Sequence, residues 1–450
     1  MSYQPFVTVN IALDVTAVNR ESFGTPIFIA DHVWFKEQTR SYTSFDAIKA
    51  DIPTSSNVYA AMQSAYAQDV DPIIVKVGRR EVDSITFTPE AATAAGQIYT
   101  LEVLDTADVT TTATFTTTTG SETASTIATA IFTALGSPAG VTVVDDTGSI
   151  TLSKSGTAVY AVTDVAKFTY TTVTTQSAAD MMATITDADD DFYFVACSDH
   201  SQAFVLALAQ DIQARTKQYW VSTQEQADLG VYSESATHTP AQLKQEARDR
   251  TYYWFHHDAD TKFPEMEYIS ILAPYDAGKR IVANNVTKIE AAKNPLTGNY
   301  LSTTDKTNLV NSNGSFTEVV AGVAITRQGT SSGTATVFAD VMRDRDFLTA
   351  RVRENYQNFM IREDKIAYTD SGIARLKNVL SSTLDRYIET ETQANILQKD
   401  NPYVINFPKR SDVSFADVAS RIYNGGFTAY LAGGIQIVVI LGSLTYEAES

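Results

Sequence analysis

The sequence predicts a multidomain α+β / α/β protein. A discontinuous α/β core domain, residues 21–83 and 177–335, is interrupted by a threonine-rich, mainly-β insertion domain at 84–176. A C-terminal α+β domain at 336–450 follows, and residues 1–20 form an extended N-terminal arm. Three observations lead there. The chain has 450 residues, and at roughly 150 per domain that is room for about three. Between 84 and 176 there are 27 threonines, two lysines (Lys154 and Lys167) and no arginine, a composition suited to pleated, half-exposed strands. The alternation of short apolar runs with helical patterns stops near Arg79 and restarts near Asp180, as expected of one sheet whose chain makes an excursion.

Taken in order, Pro26–Ala30 (PIFIA) reads as a buried strand, Ser44–Ala50 and Ser55–Ala67 as helices, the second with Ser55 or Ser56 as N-cap, and Pro72–Val77 as a strand. In the insertion, Gln97–Val103, Ala113–Thr119, Val141–Val144 and Ser149–Ser153 read as strands, the last two joined by the turn Asp145-Asp146-Thr147-Gly148. Ser121–Leu135 is expected to be a helix, with Ile127, Ile131 and Leu135 on one face; Thr110–Thr112 is open to a linker reading. The core then resumes with strand Phe192–Cys197, helix Ser201–Lys217, strand Gln218–Ser222, helix Pro240–Arg250 and strands Tyr252–Phe255 and Tyr268–Leu272. Beyond Ile281 turn residues dominate, then helices are expected over Asp340–Arg362 and Asp370–Gln398, and a closing strand over Ile435–Leu441.

Charge and cysteine usage narrow the function. With 34 basic against 53 acidic residues the net charge is -19, the wrong sign for holding nucleic acid or an anionic membrane. Cys197 is the one cysteine, which excludes an intramolecular disulfide and a thiolate zinc site and fits assembly in a reducing cytoplasm. MSYQPFVTVNIALD lacks the pattern of a signal peptide and is expected to be retained, and no apolar run reaches membrane-spanning length.

No cluster of reactive residues makes a strong catalytic or metal motif. Asp189-Asp190-Asp191 precedes a strand, whereas ligands of open α/β sheets collect at carboxyl ends, so a solvated turn is expected. Cys197, Ser198, Asp199 and His200 are adjacent and cannot easily converge on one reacting atom. His256 and His257 are expected on opposite faces of a strand, and Asp276-Ala277-Gly278-Lys279-Arg280 lacks the first glycine and the hydroxyl residue of a phosphate loop. GxSxG, HExxH and GxGxxG are absent, so no enzyme, cofactor or metal is expected.

Two features point to assembly. The apolar segments Phe6–Leu13 and Ile435–Leu441 are suited either to pair with each other or to add to a neighbour's sheet. The residues concerned are Phe6, Val7, Val9, Ile11, Ile435, Ile437, Val439 and Leu441, with Gly425, Gly426, Gly433 and Gly434 as hinges ahead of the second segment. On the helix Asp340–Arg362, Leu348, Val352, Tyr356 and Phe359 form an apolar stripe, while Arg343, Asp346, Arg353 and Gln357 lie roughly opposite. Arg343, Arg345, Arg351 and Arg353 concentrate positive charge in an acidic chain.

Three stretches resemble the bacteriophage contractile-tail sheath (myophage tail sheath) family: SYTSFDAIKADIPTSSNVYAAMQSAYAQDVDPIIVKVGRR (Ser41–Arg80), RDFLTARVRENYQNFMIREDKIAYTDSGIARLKNVL (Arg345–Leu380) and AYLAGGIQIVVILGSL (Ala429–Leu444). The resemblance implies a homo-oligomer of hexameric rings stacked in a helical sheath around a tail tube protein, with baseplate and tail terminator proteins as further partners. It also implies that subunits are laced by exchanged terminal strands, that Arg343, Arg345 and Arg353 face the tube, and that the assembled sheath belongs to a virion and contracts to eject the genome. The rival readings are another tail or contractile-injection component such as an adhesin, and an α/β hydrolase.

Overall fold

The computed structural model describes residues 21–334 and 337–436. Its centre is an eight-stranded sheet. The chain supplies β1 (Pro26–Asp31), β2 (Thr39–Tyr42), helices α1 (Phe45–Asp51) and α2 (Asn57–Ala65), and β3 (Val75–Arg80). It then leaves the sheet to form β4 (Ser84–Pro89), β5 (Ile98–Leu104), β6 (Thr110–Thr116), α3 (Ala124–Leu135), β7 (Val141–Asp145), β8 (Ile150–Lys154), β9 (Ala161–Ala166) and β10 (Phe168–Val173). After α4 (Ala178–Ala188) it returns through β11 (Phe194–Cys197), α5 (Gln202–Gln213), β12 (Gln218–Thr223), α6 (Thr239–Gln245), β13 (Thr251–Phe255), α7 (Ala259–Lys262), α8 (Pro264–Leu272), α9 (Thr303–Asn311), β14 (Ser315–Val320) and β15 (Val323–Arg327). The remainder is α10 (Ala339–Arg362), α11 (Asp370–Leu384), β16 (Tyr403–Asn406), α12 (Phe415–Ala419) and β17 (Gly426–Ala429).

The sheet order is β15-β14-β13-β12-β11-β1-β3-β2, parallel from β14 to β3 and antiparallel at both rims. Parallel strands carry helices on both faces, which is why β1, β3, β11, β12 and β13 are apolar or buried along nearly their whole length rather than alternating. The excursion folds into a four-stranded sheet, β10-β4-β8-β7, and a three-stranded one, β6-β5-β9. There the pattern does alternate: Tyr99, Leu101 and Val103 point inward with Ile127, Ile131 and Leu135 of α3, and Thr110, Thr112, Thr114 and Thr116 of β6 point out. These sheets are not hung on a loose tether. Trp34 packs edge-on against Tyr170 at 5.1 Å, the Val162 N–H donates to the Val33 carbonyl at 2.7 Å, and one buried apolar cluster runs through Val82, Tyr160 and Val162 into the core.

Several expectations need correction. Tyr268–Leu272 is not a strand but the end of α8: Pro264 starts a helix whose nine residues are all buried, so no amphipathic period survives to reveal it. The helix expected over Asp370–Gln398 stops at Leu384, and the Leu397 N–H turns back to the Tyr387 carbonyl. Likewise α6 ends at Gln245, where Ala247 takes a left-handed φ of 53°, and α5 ends at Gln213. The strand expected from Pro72 begins only at Val75, leaving Ile73 exposed. Thr110–Thr112 is strand, paired with Val103 and Leu104 of β5.

Candidate assembly surfaces

α10 is long because nothing breaks it. It has no Gly or Pro, and its Leu348 packs with Leu380 and Leu384 of α11, with Val352 and Tyr356 at the margin of the same cluster. Arg343, Arg345, Arg351 and Arg353 on it do not share one environment. Arg343 is 3% exposed, and its guanidinium donates to the carbonyls of Phe23 (2.8 Å), Leu272 (3.0 Å) and Tyr275 (2.6 Å). The last two carbonyls belong to the C-terminal end of α8 and the turn after it, where unpaired oxygens and the helix dipole favour a cation. Burial lowers the Arg343 pKa to about 10, so it stays charged at neutral pH. Arg343, expected among the tube-facing residues, is therefore inside the subunit.

Arg351 is half-buried, paired with Glu354 at 2.7 Å, and stacks over Phe347. Arg345 and Arg353 do reach solvent, with side chains 57% and 58% exposed; Arg345 touches Asp346 at 3.2 Å and Arg353 lies 3.9 Å from Glu21. Asp346, read from periodicity as surface-facing, is 4% exposed: Arg250 grips both its oxygens at 2.7 and 3.1 Å, and the Tyr193 hydroxyl donates to it at 3.0 Å. No sequence signal announces that triad, because its members are 96 and 153 residues apart.

β16 and β17 make a two-stranded antiparallel ribbon, Tyr403 opposite Ala429 and Asn406 opposite Gly426. Neither strand has a second ladder partner among the described residues. Tyr403, Ile405 and Ala429 face the α10–α11 cluster, while Val404 is 56% exposed. Beside the ribbon lies an apolar groove of about 450 Å³, bounded by Tyr356 and Met360 of α10, Ile373 and Leu376 of α11, and Phe407 and Phe427. Of the glycines expected to hinge, Gly425 is pressed so closely on the Phe407 ring that a Cβ would lie 2.5 Å from it, and Gly434 abuts Ile281. Gly426 opens β17 in free space, and Gly433 has a φ of 64°. The chain is held as far as Gln436, whose carbonyl accepts from the Asn284 side chain at 2.8 Å, and Ile435 is 82% exposed. Phe6, Val7, Val9, Ile11, Ile437, Val439 and Leu441 lie outside the described residues.

The reactive-looking clusters are absorbed by internal contacts. Asp189 pairs with Lys76 at 2.6 Å and Asp190 with Lys217 at 2.8 Å. Burial pushes the Cys197 thiol up to about 12, away from thiolate chemistry. His200 sits between Asp260 (2.8 Å) and Glu265 (3.1 Å); burial works against its charge, but the two carboxylates outweigh that and raise it to about 9. His256 and His257 do not point to opposite faces. His256 follows the last residue of β13, the backbone bends, and the two rings lie 4.6 Å apart, with His256 Nε2 donating to the Glu290 carbonyl at 2.9 Å. Among the described residues no three His, Cys, Asp or Glu side chains converge to hold a metal ion, and no helix is long and apolar enough to cross a membrane.

No family model and no curated protein matches the sequence. Solved structures do. A chain of the contracted baseplate of the anti-feeding prophage is 12% identical with a TM-score of 0.54, covering 99% of each chain. The contracted helical sheath of the same particle is 8% identical with a TM-score of 0.51, covering 98% of this chain and 99% of that one. The contracted PVC sheath complex of an extracellular contractile injection system is 8% identical, also at 0.51, covering 99% of this chain and 98% of that one. At such identities the likeness concerns the fold: this chain has the fold found in sheath assemblies of contractile systems.

Proposed function

We propose that this chain is the structural subunit of a contractile sheath, polymerising as stacked hexameric rings around a tail tube, with a baseplate and a tail terminator at the two ends. The observation that carries the reading is the full-length likeness to contracted sheath chains, with nearly all of both chains aligned. The open ribbon supports it independently. Packed on helices by one face only, β16–β17 offers, among the described residues, two unpaired strand edges beside an apolar groove.

In this account Phe6, Val7, Val9 and Ile11 of one neighbour and Ile435, Ile437, Val439 and Leu441 of another complete the ribbon. Each added main-chain hydrogen bond contributes about 1 kcal/mol net, so several per strand, repeated in every copy, keep subunits linked while their bodies rotate. The free energy of contraction is stored at assembly as a metastable lattice, so the account needs no catalytic group or cofactor. Arg345 and Arg353, the exposed arginines of α10, contact the tube, whereas Arg343 braces the fold.

The particle is a phage tail that delivers a genome. The alternative, an injection system, is favoured by the relatives in which the fold occurs. Negative-stain microscopy of the purified chain tests the sheath reading: striated cylinders support it, and discrete particles that never polymerise oppose it. Native particles with a DNA-filled head support the phage form, and headless ones the injection form.

A further inference from the structure

On α10, Asp340 and Asp344 stand one turn apart and each is 8% exposed. Among the described residues the Oδ1 atom of each is buried without a hydrogen-bond partner. An ionised carboxylate left so is expensive, and two of them on one helical face repel each other as well. The surroundings do not relieve this. From β13 comes Tyr252, whose hydroxyl also lacks a partner, and from the turn after α8 the Gly278 N–H faces Asp344. The cation acting on Asp344 is Arg343, on α10 itself, and its guanidinium is taken up by the carbonyls of Phe23, Leu272 and Tyr275. Arg345 faces Tyr252 and rests on Asp346. The contrast is two residues further on, where Asp346 has both oxygens satisfied by Arg250.

The geometry points to Asp340 and Asp344 as a proton-binding pair that seats the N-terminal half of α10 in the core when protonated and loosens it when both carboxyls ionise. The helix is well placed for such a role, since the Ala339 carbonyl at its start accepts from Gln218 of β12 at 2.8 Å and its far half carries α11. Burial raises Asp340 to about 6. Asp344 goes to about 7, through burial first and then the charge of Asp340, against the pull of Arg343. The two titrate as a unit. Because both folded values lie above the ordinary carboxylate value, their contribution to stability is fullest below about pH 4 and is lost as pH rises through 6 to 7.

The test measures the unfolding equilibrium constant in urea at pH 5 and pH 8 for the wild-type chain and for the Asp340→Asn, Asp344→Asn double variant. Asparagine keeps the shape of the neutral acid and removes the titration. Glu267, raised to about 7 by burial, adds a slope common to both proteins. The constant should increase with pH by roughly 1,000-fold more in the wild type; equal increases overturn the proposal. Should the double variant not fold, hydrogen exchange of residues 341–350 in the wild-type chain decides, after correction for intrinsic rates. Protection should be lower at pH 8 than at pH 6, and equal protection overturns the proposal.

Discussion

Arg343 Nη1 donates to the carbonyl oxygen of Leu272 at 3.0 Å, so the long helix α10 caps the end of the buried helix α8. A charged donor serving buried carbonyls is costly to remove, because the oxygens then lose their partners without gaining water. Arg343→Lys, which cannot span three carbonyls, should cost about 3 kcal/mol and Arg343→Met somewhat more, measured by urea denaturation.

Charge reversal at the exposed positions should behave oppositely. Arg345→Glu with Arg353→Glu should leave subunit stability within about 0.5 kcal/mol and impair assembly on tubes while sparing tube-free polymer. Co-sedimentation with tubes checks this, and unchanged tube binding removes both residues from the interface.

Gly278 has a φ of 78°, and a Cβ there would lie 2.5 Å from the backbone nitrogen of Ile396. Gly278→Ala should therefore cost about 2 kcal/mol or more, combining left-handed strain with a clash between two backbones. Gly298 has a φ of 68° but nothing within 4 Å, so Gly298→Ala should cost only about 1 kcal/mol, the strain alone. Thermal unfolding of the two variants side by side makes the comparison.

His200 gives a pH dependence at the alkaline end. Its folded value, about 9, lies above its ordinary value of 6.5, so the clamp with Glu265 and Asp260 stabilises fully below about pH 6.5 and is lost as pH rises through 9. The urea midpoint of the wild-type chain should fall between pH 7 and 9.5, and His200→Gln should fall less. Equal falls would mean the imidazole is neutral throughout.

Much of the fold was legible in the residues, and for identifiable reasons. β1, α2 and α3 were read because an apolar run, a serine cap and an Ile127–Ile131–Leu135 repeat are local signals; Ser56 does accept from the Tyr59 N–H at 3.0 Å. α8 was misread because burial on every side erases periodicity. The arginine pattern of α10 was only half legible: Arg345 and Arg353 are exposed, but Arg343 answers to carbonyls about 70 and 320 residues away. The ribbon went unread because four-residue strands such as Tyr403–Asn406 carry too few alternations to stand out.

Removing residues 435–450 should leave a folded subunit, since the clusters formed among the described residues do not include Ile435, which is exposed. That subunit should stay monomeric at concentrations where the full chain polymerises, as read by sedimentation velocity.

The most direct measurement is a cryo-EM map of the assembled polymer at a resolution that traces main chain. The account predicts a ribbon of more than two strands in every subunit, with residues 6–13 and 435–441 contributed to it by neighbouring copies. A map in which both segments fold back onto their own subunit, leaving β16 and β17 unaccompanied, would contradict it.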